Sequence, residues 1–264
     1  MLDFHKSNGA DATIAVLNVP IEEASRFGIM NTDEDNRIIE FEEKPEHPKS
    51  TNASMGIYIF GREVLAKYLE KDEKNRKSSN DFGKNVIPAM LADGKKMYAY
   101  HFNGYWKDVG TINSLWEANM DLLGSSPAFT FHDKSWRIYS RNYYDPPQFV
   151  GDCARVTNSL ITEGCYVNGV VENSILSSGV TVEKGAYIRD SVIMSGVTVK
   201  KGALVNYSIV DSDAVIGEGA ILGRTRSENT GISVVSAGTV IPDGADIADG
   251  EMVSDAYFAE KEVK

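Results

Sequence analysis

The second half of the chain repeats itself at a period that no helix can hold. Starting at Leu176 and stepping by six, six and five residues lands on Val182, Ile188, Ile193, Val199, Val205, Val210, Ile216 and Leu222, and every slot is aliphatic. Two positions before each slot sit Ser174, Val180, Ala186, Ser191, Val197, Ala203, Ser208, Ala214 and Ala220, all small or β-branched. On a cylinder with ~3.6 residues per turn, positions six apart rotate steadily around the axis and never form one face. Three short strands per coil, with a turn after each, do put every sixth residue on one inward row. Gly185, Gly202 and Gly219 recur seventeen apart, where tight corners suit a residue without a Cβ. The spacing therefore predicts a triangular parallel β-helix whose coils stack at the ~4.8 Å strand separation, each burying what its neighbour would expose. Residues 223–231 interrupt the period, which resumes at Val235, Ile241 and Ile247 with Ser233, Thr239 and Ala245 in the small column. Upstream, Val167, Ile161 and Val156 keep a looser version, as expected of an irregular first coil.

A chain of 264 residues that is 42% hydrophobic can fill one large core or two ordinary ones. Its formal charge of −11 argues against a general affinity for nucleic-acid phosphates or anionic lipid. No apolar run approaches the ~20 residues that span a bilayer, and Met1 to Lys6 shows no apolar signal core. The expected setting is cytoplasmic. Cys153 and Cys165 stand twelve apart with no partner pair or nearby histidine, so both read as small packed side chains rather than as metal ligands.

Residues 1–123 alternate strand-like and helix-like segments, the pattern of an α/β layer. Strands are expected at 12–17, 55–60 and 97–102, and a hairpin joins 28–30 to 37–41 through a polar turn. Apolar residues at helical spacing mark 63–69, 86–91 and 115–123. Lys71 to Asn80, polar with no apolar anchor, reads as a mobile loop. Residues 124–149 form a junction before the repeats of 150–264. Phe129, Phe131, Trp136, Tyr139, Tyr143 and Tyr144 make that junction too aromatic for a free linker.

Three stretches of the first region carry chemistry when taken together. They are Arg26–Met30 with Ile39–Pro45, then Ala53–Phe60, then Tyr105–Thr111. In this order, and followed by the prism, they resemble the sugar-nucleotide pyrophosphorylases, most closely the bacterial glucose-1-phosphate adenylyltransferases, and the resemblance covers essentially the whole chain. It implies an α/β fold, part of a nucleotidyltransferase Rossmann-like domain, plus an all-β left-handed parallel β-helix of hexapeptide repeats. It also implies a reaction in which ATP and α-D-glucose 1-phosphate give ADP-glucose and pyrophosphate in glycogen biosynthesis. Both reactants are anions, so cations must lie between them. The resemblance gives that part to Lys44, a fixed ammonium for the sugar phosphate at a strand end before Pro45. Glu43 would accept from glucose hydroxyls, Gly28 would let the backbone approach the sugar, and Ser54 would add a hydroxyl. Asp108 would hold a divalent ion, for which Mg²⁺ suits carboxylate and phosphate oxygens. Plainer readings stand beside these: a solvated charged strand end for Glu42-Glu43-Lys44, a strand-start glycine for Gly28, a polar residue before a buried strand for Ser54. For Asp108 the plainer reading is support for a turn whose Thr111 caps the next helix. Trp106 reads as a packing residue.

The same family opens its catalytic domain with a glycine-rich loop that cradles the triphosphate, and this sequence holds no Gly-Gly. The expectation is therefore that the chain starts partway through that domain, as an inactive fragment of an enzyme whose front half carries the nucleotide site. The competing reading is a natural short homologue serving as a noncatalytic regulatory or structural subunit; a pyrophosphorylase for another sugar nucleotide is a further alternative. A hexapeptide acyltransferase is disfavoured, because residues 133–264 contain no histidine to act as base. The family also implies a homotetramer, or a hetero-oligomer with a related subunit.

Overall fold

A computed structural model describes residues 1–131, 134–135, 138–139 and 144–261. The chain divides into two compact units, Met1–Gly104 and Tyr105–Lys264, each with its own core.

In the first unit a short helix α1 (Leu2–Ser7) leads into β1 (Ala12–Asn18), followed by α2 (Ile21–Ala24), β2 (Gly28–Thr32), β3 (Ile38–Glu43), β4 (Asn52–Phe60), α3 (Arg62–Glu73), α4 (Ile87–Ala92) and β5 (Met97–His101). The sheet runs β3-β2-β4-β1-β5, with β1 and β5 parallel and the other neighbours antiparallel. Strand β1 is apolar along nearly its whole length because both of its faces are covered. Ala12, Ile14 and Val16 enter a core shared with Met30, Ile87 and Met90. Thr13 is also fully buried and meets His5 Nδ1 of α1 at 2.8 Å. The expected hairpin forms between β2 and β3, its turn held by Asp33 Oδ1, which accepts from the amides of Asp35 and Arg37, and by Asn36 in the left-handed region at φ 62°. The stretch read as a mobile loop is ordered differently. Helix α3 continues to Glu73, Ser78 donates to Asp72 at 2.7 Å, and Ser79 to Asn85 at 2.7 Å. Polar side chains closing on each other, rather than an apolar anchor, hold it.

The second unit begins with α5 (Ile112–Met120), capped by Thr111, whose hydroxyl accepts from Ser114 N–H at 3.1 Å. The alternation of strand and helix periods groups this helix with residues 1–123. In the structure it belongs to the compact unit of the repeats, because Trp116 is buried against Val192, Ile209 and Ile232, and its Nε1 donates to the carbonyl of Asp190 at 2.7 Å. Of the junction aromatics, Phe129 stacks on Tyr105 and meets Phe131 edge-on, whereas Tyr139 and Tyr144 are exposed. Trp136 and Tyr143 lie outside the described residues.

From Phe149 the chain winds into a left-handed parallel β-helix of three six-stranded parallel sheets. Each strand pairs with the one a coil later, as in Val182 with Val199 and Val199 with Ile216. All nine residues of the aliphatic row from Leu176 to Leu222 are fully buried, as are the nine of the small column beside it. The resumed period also holds, with Val235 and Ile241 fully buried and Ile247 nearly so. Gly185, Gly202 and Gly219 have φ between 65° and 80°, the left-handed conformation that a Cβ disfavours. A second kind of corner uses Asn173, Asp190 and Tyr207 at φ 44° to 49°. Asn173 Nδ2 donates to Asp190 Oδ1, so there a side-chain ladder offsets the strain that glycine avoids. Cys165 is buried in the prism, while Cys153 is exposed and does not pack as expected, because it lies in the irregular first coil. A terminal helix α6 (Asp255–Lys261) sets Tyr257 and Phe258 against the last coil.

Candidate functional site

The first unit gathers four of the sequence-predicted residues around one carboxylate. Glu43 ends β3 directly opposite Gly28 of β2. A Cβ on Gly28 would lie 2.6 Å from Phe41 Cζ and 2.9 Å from Glu43 Oε2, so the absent side chain is what lets this carboxylate lie across the strand. Gly83 completes the seat from the far side, since a Cβ there would collide with the same Glu43 oxygen. Gly83 belongs to a wide helical turn, Phe82–Val86, that runs into α4. Asp81 caps this turn, with its Oδ1 accepting from Lys84 N–H at 2.8 Å.

Lys44 follows immediately. Its amide donates to the carbonyl of Phe27 at 3.0 Å, and its φ of 50° is left-handed. A non-glycine residue just before a proline pays for that conformation, typically ~1–3 kcal/mol. The bend takes the chain out of β3 and leaves Lys44 exposed beside its acidic neighbour. Ser54, on β4, accepts from Gly56 N–H at 3.2 Å and hydrogen-bonds Tyr58.

Burial pushes the Glu43 carboxyl above its ordinary value and the charge of Asp81 adds to this, while Lys44 and Lys84 pull it back. Burial likewise raises the Tyr58 phenol, the bond to Ser54 lowers it, and the charges of Glu43 and Asp81 raise it further. The ring of Tyr58 stacks on Phe82 with centroids 5.7 Å apart. The result is a half-buried acid bounded by two glycines and an aromatic wall, with Lys44 next to it in sequence. It can accept hydrogen bonds from a polyhydroxylated ligand while the Lys44 ammonium takes an attached anion.

Asp81, Gly83 and Tyr58 were missed by sequence reading. Asp81 and Gly83 stand some forty residues after Glu43, adjoining a stretch read as loop; the Asp81-Phe82-Gly83 triplet ahead of an apolar helix is the signal that could have marked them. Asp108 lies in the second unit. Its Oδ2 would be 3.1 Å from a Cβ on Gly110, so glycine leaves the carboxylate room. Thr111, not Asp108, makes the capping bond to α5. Nearby Lys107 is committed to Glu117 at 3.0 Å and Asp121 at 3.1 Å. Among the described residues no group of three histidines, cysteines or carboxylates is placed to hold a metal.

The mixed sheet bearing this carboxylate seat is followed in the chain by a hexapeptide prism. Residues 1–125 match the Nucleotidyl transferase family and residues 146–242 the GlmU-like, C-terminal hexapeptide family. The chain is 64% identical over 190 residues to a glucose-1-phosphate adenylyltransferase of Clostridium perfringens, covering 72% of this chain and 48% of that protein. It is 46% identical over 271 residues to the glucose-1-phosphate adenylyltransferase of Acetivibrio thermocellus, covering 99% of this chain and 63% of that one. A Bacillus cereus protein of the same name is 57% identical over 190 residues, 72% of this chain and 50% of its own length. Over the stretch they share, the chain is thus a homologue of the bacterial glucose-1-phosphate adenylyltransferases. It spans about half the length of several of these relatives and 63% of another.

Proposed function

We propose that this chain carries the sugar-phosphate side of a glucose-1-phosphate adenylyltransferase that joins ATP and α-D-glucose 1-phosphate into ADP-glucose and pyrophosphate for glycogen synthesis. An oxygen of the sugar phosphate attacks the α-phosphorus of ATP, the bond to the bridging oxygen of the β-phosphate breaks, and pyrophosphate leaves with that electron pair. The observation that carries this reading is the seating of Glu43 between Gly28 and Gly83 with Lys44 next in sequence. Glu43 accepts from the glucose hydroxyls, Ser54 adds a hydroxyl contact, and Lys44 neutralises the phosphate dianion. A divalent ion, Mg²⁺ in this reading, fits Asp108 as a single carboxylate ligand. Such a cation is commonly held by one or two carboxylates, with substrate phosphates and water completing its shell. The working assembly is a cytoplasmic homo-oligomer, a tetramer in the family's usual form.

The absence of Gly-Gly from the sequence supports a division of labour in which the triphosphate is held by residues other than these. The test pairs two measurements. Calorimetry on this chain should show glucose 1-phosphate binding that Lys44→Ala weakens. In an active enzyme bearing this sequence, Lys44→Ala should raise the KM for glucose 1-phosphate at least about tenfold more than that for ATP, as expected when one charge-assisted contact to phosphate is removed. Equal effects on both substrates would refute the role of Lys44. Robust turnover by these 264 residues alone would refute the proposed division of labour.

A further inference from the structure

A cavity of about 300 Å³ lies in the first unit, between α3 and the turn that bears Gly83, at the small end of ligand sites. Val86 and Ala89 line it together with Lys71, Asn75, Lys84 and Asn85. The oxygen ends of both amides are already engaged. Asn75 Oδ1 accepts from Lys77 N–H at 3.1 Å. Asn85 Oδ1 accepts from Ser79 N–H at 3.2 Å, Ser79 Oγ at 2.7 Å and Asp81 N–H at 3.3 Å. What these side chains have left to offer is their NH₂ groups, which have no partner among the described residues.

The charges lean the same way. Lys84 makes no ion pair among the described residues, although its charge acts on Glu43, and Lys71 pairs with Asp93 at 3.4 Å while lying over the Tyr68 ring. One carboxylate belongs to the lining, Asp72, which accepts from Ser78 at 2.7 Å, and the Tyr68 hydroxyl is turned to Asp93 at 2.8 Å. Between Lys67 and Lys84 the sequence holds six basic residues against four acidic ones, in a chain whose net charge is −11. Two ammonium groups and two amide NH₂ groups around one small cavity match the several acceptor oxygens of a phosphate group.

We propose that this cavity is an anion site for a phosphate group, free or carried on a small metabolite, separate from the Glu43–Lys44 site. The test follows the side-chain NH₂ signals of Asn75 and Asn85 by NMR while inorganic phosphate, or in a second arm glycerol 3-phosphate, is titrated into the chain. Both signals should move saturably, with half-saturation near ~1 mM, the scale of a weak small-anion site. The double variant Lys71→Met/Lys84→Met should weaken this at least about tenfold. Lys67→Met/Lys74→Met removes the same amount of charge at α3 and its C-terminal end, from residues that do not line the cavity, and should leave it unchanged, as should Lys44→Ala. Tighter binding of the ester than of the free ion would assign the site to a carried phosphate, and equal binding to the ion itself. Immobile amide signals would overturn the proposal. So would equal losses in the two double variants, which mean diffuse attraction, or loss of the response in Lys44→Ala, which means that phosphate acts from the other site. No sugar phosphate enters the measurement, so its outcome is independent of the proposed function.

Discussion

At the residue scale the site turns on where a single carboxylate can lie. Glu43 faces Gly28 and Gly83, and the two glycines differ in what a methyl group would disturb. At Gly28 it would meet the packed ring of Phe41 as well as Glu43. At Gly83 its close neighbours are Glu43 and, at 3.4 Å, Asp81 Oδ1, and alanine is otherwise favoured over glycine in a helical turn by about 1 kcal/mol. Gly83→Ala is therefore expected to change the denaturation midpoint little while weakening glucose 1-phosphate binding at least about tenfold, the scale of one displaced charged acceptor. Calorimetry beside urea unfolding checks both. The raised pKa of Glu43 has its own consequence. A carboxyl whose folded value lies above its unfolded one keeps its proton more readily in the folded state, so its contribution favours folding at low pH. That contribution is lost as pH rises from the ordinary value through the raised one. Glu43→Gln should remove this part of the pH slope, leaving the variant relatively more stable than the parent above that window and little different below it; a parallel pair of stability curves would contradict the burial argument. Gly28, Glu43, Lys44 and Ser54 could be singled out as candidates because they sit in short local motifs. Tyr58, Asp81 and Gly83 could not, because only the folded sheet brings β4 and the turn before α4 to Glu43.

At the element scale the prism is held by a ladder that its hydrophobic period does not reveal. Buried Ser174, Ser191 and Ser208 each donate to the carbonyl two residues earlier, at 2.7 Å in all three cases. The hydroxyls of Ser174 and Ser191 also accept the amide one coil on, Ser191 N–H at 3.1 Å and Ser208 N–H at 3.2 Å. The sequence marks these positions only as small. Alanine at 191 would fill the space equally well yet leave the buried Ser208 amide without its acceptor, a loss of roughly 1–3 kcal/mol. Ser191→Ala should accordingly lower the unfolding free energy of the second unit by about that amount. An unchanged midpoint would mean that volume, not bonding, sets the column. The element whose packing surface the spacing leaves open is α5. Its apolar spacing announced a helix, but spacing does not say which surface receives it, and Trp116 goes to the prism.

For the whole molecule, separate cores imply separate unfolding, since cooperativity follows shared buried contacts. All three tryptophans, at 106, 116 and 136, fall after Gly104, so their fluorescence reports the second unit alone, whereas α3 and α4 of the first unit contribute to the helical circular dichroism. In a urea titration the two signals should change at different midpoints, and coincident curves would show a single cooperative body. The sequence by itself determined the prism, because a repeat of six, six and five admits one way of burying its aliphatic row. It also determined the α/β character of the first region, because strand and helix periods alternate there. Only the tertiary structure decided which glycines flank Glu43, which surface α5 covers, and where the polar stretch after α3 folds back to wall a cavity. Those outcomes depend on contacts between residues distant in the chain, and no local period encodes them.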